Sequence, residues 1–133
     1  MFKLVEERTA WQPVTFKGLT EEGESVENRI EMRFVLLSTD ANLKLLQEAG
    51  ELTVDIAPGD ETTEEGEKLS TVMARFGMKI VRDWRGVHEA NDDPIKFSQD
   101  SLTRLFNVPG TFEATLRAYR EAIQGGKDAR SGN

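Results

Sequence analysis

The hydrophobic pattern of this chain is most regular between residues 69 and 87. Large apolar side chains recur there at steps of three or four residues, the spacing that lines one face of an α-helix: Leu69, Val72, Met73, Phe76, Ile80 and Trp84. The pattern predicts one long amphipathic helix whose apolar face forms the core. Gly86 is placed to end this helix, and Gly77 predicts a bend or the close approach of another segment.

Patterns typical of strands precede this helix. Residues 11 to 16 are rich in β-branched and aromatic side chains, and Pro13 predicts an edge strand or the beginning of a strand. After a polar, glycine-containing turn, residues 26 to 37 alternate, with these side chains on one face: Val26, Asn28, Ile30, Met32, Phe34 and Leu36. We expect a β-hairpin with one face in water and the other covering the long helix. Residues 1 to 10 are expected to form a loose arm.

A short helix and an acidic stretch lie between the hairpin and the long helix. The helix is predicted over residues 41 to 49, ended by Gly50 and preceded by three candidate N-caps: Ser38, Thr39 and Asp40. Its apolar face is formed by leucines: Leu43, Leu46 and, as an alternative, Leu45. Residues 51 to 67 contain seven acidic and no basic side chains, which predicts a solvated loop or mobile linker. The alternative is a short strand formed by alternating apolar residues: Leu52, Val54 and Ile56.

Two further helices are predicted after a turn-rich loop over residues 88 to 94. The first follows the N-cap Ser98 and has this apolar face: Leu102, Leu105 and Phe106. The second is capped by Thr111 and carries apolar side chains at helical spacing: Phe112, Leu116, Tyr119 and Ile123. Glycines end it, and residues 125 to 133 are expected to be a disordered tail.

These elements predict an α+β protein. We expect an N-terminal antiparallel β-hairpin to pack on a bundle of about four α-helices, because the hairpin and the helices each have one apolar face to bury. With 133 residues the chain is long enough for one core and short for two. A single domain over residues 1 to 133 is therefore predicted.

Charge and composition restrict the classes of partner. The chain has 17 basic and 24 acidic residues, a formal net charge of -7, which argues against binding to the phosphates of nucleic acid. It has no cysteine for a disulfide or a thiolate metal site. We see no apolar run typical of a signal peptide or a membrane span, so we expect no membrane partner and a cytosolic location.

Few residues could carry chemistry. His88 is the only histidine, and three neighbouring acids could complete a cation site around it: Glu89, Asp92 and Asp93. A solvated loop histidine beside turn-forming acids is the favoured interpretation. The acidic stretch does not match the calcium-loop pattern, and no P-loop, nucleophile elbow or dinucleotide fingerprint occurs. We therefore expect no enzymatic activity, no cofactor and no metal.

Two groups of residues are candidates for binding a protein partner. On one flank of the predicted long helix the side chains are basic: Lys68, Arg75, Lys79 and Arg82. This flank would receive an acidic segment of a partner or, alternatively, pair with the acidic stretch of this chain. Trp84 and Arg85 are of the types that dominate interface hot spots, the alternative being a core tryptophan at a helix end.

Several short motifs follow one another along nearly the whole chain: Trp11-x-Pro13-Val14, Met32-Arg33-Phe34, Asp83-Trp84-Arg85-Gly86-Val87, Pro94-Ile95-Lys96-Phe97-Ser98, Val108-Pro109-Gly110 and Ala118-Tyr119-x-Glu121-Ala122. A tail that contains glycine and lysine and ends at Asn133 accompanies them. Their order and spacing resemble those of the tail assembly chaperones of siphovirus-type, long-tailed bacteriophages and prophages. The acidic stretch over residues 51 to 67 is longer than in the pattern of that family.

The resemblance implies a non-enzymatic protein that coats the long helical tape measure protein and keeps it soluble. The major tail tube protein would displace it during polymerisation, in the cytoplasm of the bacterial host, and it would not be expected in the mature virion. Self-association through edge strands is also expected. The alternative is a generic acidic interaction or regulatory module, such as a toxin-neutralising or scaffold protein.

The resemblance also implies a longer form of the protein. In such chaperones some ribosomes slip back by one base near the end of the gene and append a second domain. Gly126 and Lys127 are what a slippery GGG-AAA tract would encode, the alternative being a glycine that simply stops the last helix. We expect the nucleotide sequence of these codons to decide between the two.

Overall fold

The computed structural model describes residues 1 to 4, 7 to 54 and 68 to 125, except for the side chains of residues 53 and 54. Its strands are β1 (Arg8–Leu19), β2 (Ser25–Leu36) and β3 (Val81–Arg85). Its helices are α1 (Thr39–Val54), α2 (Leu69–Gly77), α3 (Gln99–Phe106) and α4 (Thr111–Ile123). The predicted α+β class with an N-terminal antiparallel hairpin is confirmed. Most of the predicted linker and tail, residues 55 to 67 and 126 to 133, lies outside the described residues.

The three strands form one antiparallel sheet in the order β1-β2-β3. The edge position predicted for the strand with Pro13 is confirmed, since β1 pairs with β2 on one side only. Pairing begins with Arg8 opposite Leu36 and ends with Leu19 opposite Ser25. Residues 8 to 10 therefore belong to the sheet, and the predicted N-terminal arm is correspondingly shorter.

The long helix predicted over residues 69 to 87 is wrong in its second half. Helix α2 ends at Gly77, the N–H of Ile80 donates to the Gly77 carbonyl, and the chain turns into β3 beside β2. A step of four residues keeps two side chains on one face in a strand as well as in a helix, so the apolar spacing alone does not distinguish the two. Gly86 does adopt a left-handed φ of 92°, but it follows a strand.

Gly77 lies where α2 meets α3. A Cβ atom at this position would lie 2.9 Å from Leu102 Cδ2 and 3.0 Å from Phe106 Cε2, closer than side chains ordinarily pack. The predicted close approach at this glycine is confirmed, and a substituted side chain would have to displace the side chains of Leu102 and Phe106.

Helix α4 covers the inner face of the sheet, which corrects the expectation that the segment from residue 69 would do so. The Gln12 side chain is buried and its Nε2 donates to Glu121 Oε2 at 3.2 Å. The rings of Phe34 and Tyr119 pack with their centroids 5.8 Å apart. Burial raises the pKa of Tyr119, whose hydroxyl donates to Asn42 Oδ1 at 2.7 Å. Helix α4 thus joins the sheet to α1.

Helix α1 is longer than predicted. Ser38 is its N-cap, since Ser38 Oγ accepts from the N–H of Ala41 at 3.2 Å. The helix continues through Gly50, where a glycine weakens a helix by about 1 kcal/mol without ending it. The predicted linker is therefore wrong over residues 51 to 54, and the alternative strand is wrong at Leu52 and Val54, which are helical, while Ile56 lies outside the described residues. Leu45 is the buried leucine, whereas Leu43 is 60% exposed, so the apolar face is rotated from the predicted one.

At the N-terminal ends of α3 and α4, one predicted N-cap is confirmed and the other is wrong. Ser98 caps α3 as predicted, with its hydroxyl and that of Ser101 each accepting from the other residue's N–H. Gly110 is the N-cap of α4, with φ 87°, and Thr111 is the first residue of the helix. The Thr111 hydroxyl contacts the carbonyl oxygens of Leu105 at 2.7 Å and Val108 at 2.8 Å. Thr111 therefore ties α4 to the end of α3 instead of capping α4.

Polar groups at both outer strands of the sheet have local partners. In β1, Pro13 has no N–H, and the carbonyl of Thr15 accepts from Arg117 Nη2 at 2.9 Å. In β3, the N–H of Trp84 donates to Asp83 Oδ1 at 2.8 Å. These contacts make both strands poorer templates for another strand.

Candidate functional site: the open face of the sheet and a helical groove

The sheet has a second face, opposite to α4, on which the side chains reach solvent. Successive side chains of a strand alternate between faces, so the neighbours of buried Met32 and Val14 point outward. Two cross-strand rows define the centre of this face: Trp11, Arg33 and Asp83, and beside them Pro13, Glu31 and Arg85. We call these six residues, with Arg29, the open face.

An aromatic and cationic pair lies at the centre of the open face. The guanidinium carbon of Arg85 lies 4.0 Å from the centre of the Trp11 ring, and Trp11 remains 37% exposed. Arg85 Nη2 also lies 3.4 Å from Glu31 Oε2. A cation–π contact at an exposed site stabilises by about 0.5 to 1 kcal/mol, which is enough to restrict the ring. The pair therefore presents an oriented tryptophan to solvent.

The open face is locally cationic on an acidic protein. It carries three arginines, Arg29, Arg33 and Arg85, and two acids, Glu31 and Asp83, giving a local charge of three minus two, or +1. Arg29 and Arg33 make no ion pair within the described part of the chain, while Asp83 already accepts a backbone N–H. Two arginines are thus available to an anionic partner.

The basic residues predicted to share one helical flank do not do so. Lys68 precedes α2 and Arg75 lies within it, whereas Lys79 is in the turn and Arg82 is on β3. Lys79 Nζ lies 2.9 Å from Glu48 Oε2. Arg82 Nε lies 3.0 Å from Glu7 Oε1. Both therefore pair with acids of this chain, although these acids lie outside the predicted acidic stretch.

Trp84 and Arg85, the other predicted binding residues, point to opposite sides of the sheet. Trp84 is 5% exposed, donates from Nε1 to the Ile95 carbonyl at 2.8 Å, and packs edge-to-face on Phe97 at 5.3 Å. It is a core residue, as in the alternative interpretation, but on a strand. Arg85 reaches solvent and contacts Trp11, which sequence reasoning had not selected. Only the pairing of β3 could have revealed this contact.

A groove lies where α2, α3 and α4 meet. Its volume is about 540 Å³, and its lining mixes apolar side chains with polar and charged ones: Leu69, Met73, Phe106, Pro109 and Phe112 beside Lys68, Ser70, Asn107 and Glu113. Lys68 and Glu113 place one charge of each sign at its rim. The rings of Phe106 and Phe112 pack edge-to-face at 5.2 Å and stiffen its floor. We call this feature the helical groove.

The loop around His88 does not assemble a cation site. His88 pairs with Pro94 across the loop, and Asp92 adopts a left-handed φ of 71°. Arg104 donates to Glu89 at 2.7 Å and 3.1 Å, and this hydrogen bonding lowers the pKa of Glu89. Across residues 1 to 4, 7 to 54 and 68 to 125, no group of three or more potential ligands could hold a metal ion.

No helix in the described ranges has the length and apolar character needed to cross a membrane. No protein-family model, curated protein or solved structure matches this chain.

The motifs of the sequence nevertheless have a definite place in the fold. Three of them contribute Trp11, Arg33 and Asp83 to one cross-strand row, although these residues are far apart in sequence. The motif over residues 108 to 110 lies at the helical groove.

Proposed function

We propose that this protein is a tail assembly chaperone of a siphovirus-type bacteriophage or prophage. It binds the tape measure protein without enzymatic chemistry and keeps it soluble until tail tube subunits replace it. The observation that carries the proposal is the convergence of the motifs behind the resemblance, since Trp11, Arg33 and Asp83 meet in one row of the sheet. Such a protein acts in the cytoplasm of the bacterial host and is absent from the mature virion.

The helical groove is the surface that we assign to the tape measure protein. A long helical protein exposes apolar side chains at steps of three and four residues, and such a stripe binds in an apolar groove between helices. The partly exposed Leu69 supplies apolar surface over a floor that contains the buried Met73 and Phe112, and the charges of Lys68 and Glu113 can orient the helix. The small size of the site favours reversible binding, which the exchange for tail tube subunits requires.

Co-expression with the tape measure protein encoded by the same phage or prophage tests the proposal. The chaperone gene is expected to lie between the genes for the major tail protein and the tape measure protein. The wild type should move the tape measure protein into the soluble fraction, and Leu69→Asp should abolish this because it places a charge in the groove. Leu43→Asp is the matched control, since it charges an exposed leucine on α1.

The folded state of both variants is checked by circular dichroism and thermal melting. If the wild type leaves the tape measure protein insoluble, the chaperone proposal fails, and an acidic interaction or regulatory module becomes the better description. If Leu69→Asp is folded and still solubilises the tape measure protein, the assignment of the groove is wrong.

A further inference from the structure

The helical groove lies at the beginnings of two helices. Its lining includes Leu69 and Ser70 of α2 and Phe112 and Glu113 of α4, which belong to the first turns of these helices. The first N–H groups of a helix have no acceptor within the helix, and they give this end a partial positive charge of about half an elementary charge. The positive ends of α2 and α4 therefore meet at the groove.

Neither of these helix ends is capped by a side chain. The N-cap residues are Lys68 for α2 and Gly110 for α4, and neither accepts a hydrogen bond through its side chain. At the beginnings of α1 and α3, in contrast, the hydroxyls of Ser38 and Ser98 accept from backbone N–H groups. Lysine can only donate, so Lys68 places a full positive charge where a capping oxygen is usual. It forms no ion pair with any described residue.

Ser70 lines the groove and is buried without a hydrogen-bond partner for its hydroxyl. It is 8% exposed, and its side chain bonds to no group in the described part of the chain. Four other polar side chains are buried in these ranges, and each has a hydrogen-bond partner: Gln12, Ser101, Thr111 and Thr115. Buried polar groups without a partner are rare in proteins because burial removes the water that would bond to them. The exception at Ser70 therefore indicates that a group from outside the fold supplies the partner.

A carboxylate is the group that fits these surroundings. Its two oxygens only accept hydrogen bonds, and the groove offers an ammonium at Lys68, a hydroxyl at Ser70 and the first N–H groups of α2. Glu113 at the rim disfavours a ligand with several negative charges, such as a chain of phosphates, but a single carboxylate can lie on the Lys68 side. The apolar side chains of Leu69 and Met73 require that the carboxylate belong to a molecule with apolar groups close to it.

We propose that the helical groove recognises an acidic side chain on a helix of the tape measure protein. This inference rests on the proposed function and adds to it the residue type by which the partner helix is selected. The Asp or Glu of that helix accepts from Lys68 and Ser70, and apolar side chains three or four residues away contact Leu69. Residues at this spacing share one face of a helix, so a single face carries both parts of the signal.

Fluorescence anisotropy with labelled peptides tests this recognition. The probes are overlapping peptides of about 25 residues, long enough to form a helix, from the tape measure protein encoded by the same phage or prophage. The peptides that bind most tightly should contain Asp or Glu three or four residues from a large apolar side chain. Replacing that acid by the corresponding amide should weaken binding about tenfold, because hydrogen bonds to a charged acceptor are the stronger ones.

Substitutions in the protein identify the contact. Ser70→Ala should weaken binding of the acidic peptide about threefold to tenfold and leave binding of the amide peptide unchanged, which a double-mutant cycle measures. Its melting temperature should not fall, since the hydroxyl has no partner in the described fold to lose. Lys68→Glu should weaken the acidic peptide at least about tenfold and should bind a peptide with lysine in place of the acid more tightly than the wild type does. Lys44→Glu is the matched control, since it makes the same charge change on an exposed position of α1.

Equal binding of the acidic and amide peptides would overturn the inference, as would equal weakening by Lys68→Glu and Lys44→Glu. A lower melting temperature of Ser70→Ala would overturn it too, because the hydroxyl would then have a partner within the protein. If no peptide binds although the protein solubilises the intact tape measure protein, the inference fails and the proposed function stands. Failure of the proposed function is seen separately, as a wild type that leaves the intact tape measure protein insoluble on co-expression.

Discussion

The two tryptophans of this chain lie on opposite faces of one three-stranded sheet. Trp84 is inserted among buried residues, with its indole N–H bonded to a backbone carbonyl and its ring against Phe97. Trp11 is on the open face, with a guanidinium over its ring and more than a third of its surface exposed. The same residue type therefore stabilises the fold at one position and is available to a partner at the other.

Neighbouring sequence does not distinguish the two positions. Each tryptophan lies within a strand, and each has both charged and apolar neighbours in the sequence. The difference arises from the strand alternation that points the Trp84 ring into the core, against Phe97, and the Trp11 ring toward solvent. Substitutions at the two positions should thus differ in their effect on stability.

The largest effect is expected for Trp84→Ala, which should lower the free energy of unfolding by about 3 to 5 kcal/mol because it leaves a cavity in the core. The loss is measured by chemical denaturation. It is a loss of stability if the m-value, the slope of the unfolding free energy against denaturant concentration, is unchanged. A loss smaller than about 1 kcal/mol would mean that Trp84 is not buried in the protein in solution.

A smaller loss of about 1 to 2 kcal/mol is expected for Trp84→Phe. The phenyl ring keeps most of the apolar packing, but the Ile95 carbonyl loses the hydrogen bond from the indole N–H. Comparison with Trp84→Ala separates packing from hydrogen bonding. Equal losses in the two variants would show that the hydrogen bond and the indole shape dominate.

Trp11→Ala should change the free energy of unfolding by less than about 1 kcal/mol, since its ring is partly exposed and its main contact is one surface cation–π pair. A loss of stability as large as that of Trp84→Ala would contradict the distinction between the two faces.

The smallest change in stability is expected for Arg85→Lys, a few tenths of a kcal/mol, because an ammonium stacks less well on an indole than a guanidinium does. In the Trp84→Phe background Trp11 is the only tryptophan, and acrylamide quenching of its emission should increase when Arg85 is replaced. Glu27→Gln, a charge change near the turn end of the hairpin, serves as the control. Unchanged quenching would show that Arg85 does not shield the ring.

Local signals in the sequence predicted the local structure correctly. Alternation over residues 26 to 37 predicted the hairpin, and Pro13 predicted its edge. Ser98 predicted the start of α3 because an N-cap depends only on its own turn. Gly77 predicted a close approach without indicating the partner, which is α3.

Features that depend on distant pairing could not be predicted in the same way. The apolar steps from Phe76 to Ile80 and Trp84 are all four residues long, and a step of four does not distinguish a helix from a strand. The choice is made by β2, which offers an unpaired side to Val81–Arg85. Once β3 was missed, neither the contact of Arg85 with Trp11 nor the composition of the open face could be inferred.

The local hydrogen bonds at Thr15 and Trp84 have a consequence for how copies of this chain could separate again. Strands that add to a sheet edge form a continuous backbone ladder, and such assemblies dissociate slowly and can grow into fibres. With Pro13 and Arg117 at one edge and Asp83 at the other, that route is disfavoured. Contacts between copies are then left to side chains, and a change in salt or a competing protein can undo such contacts.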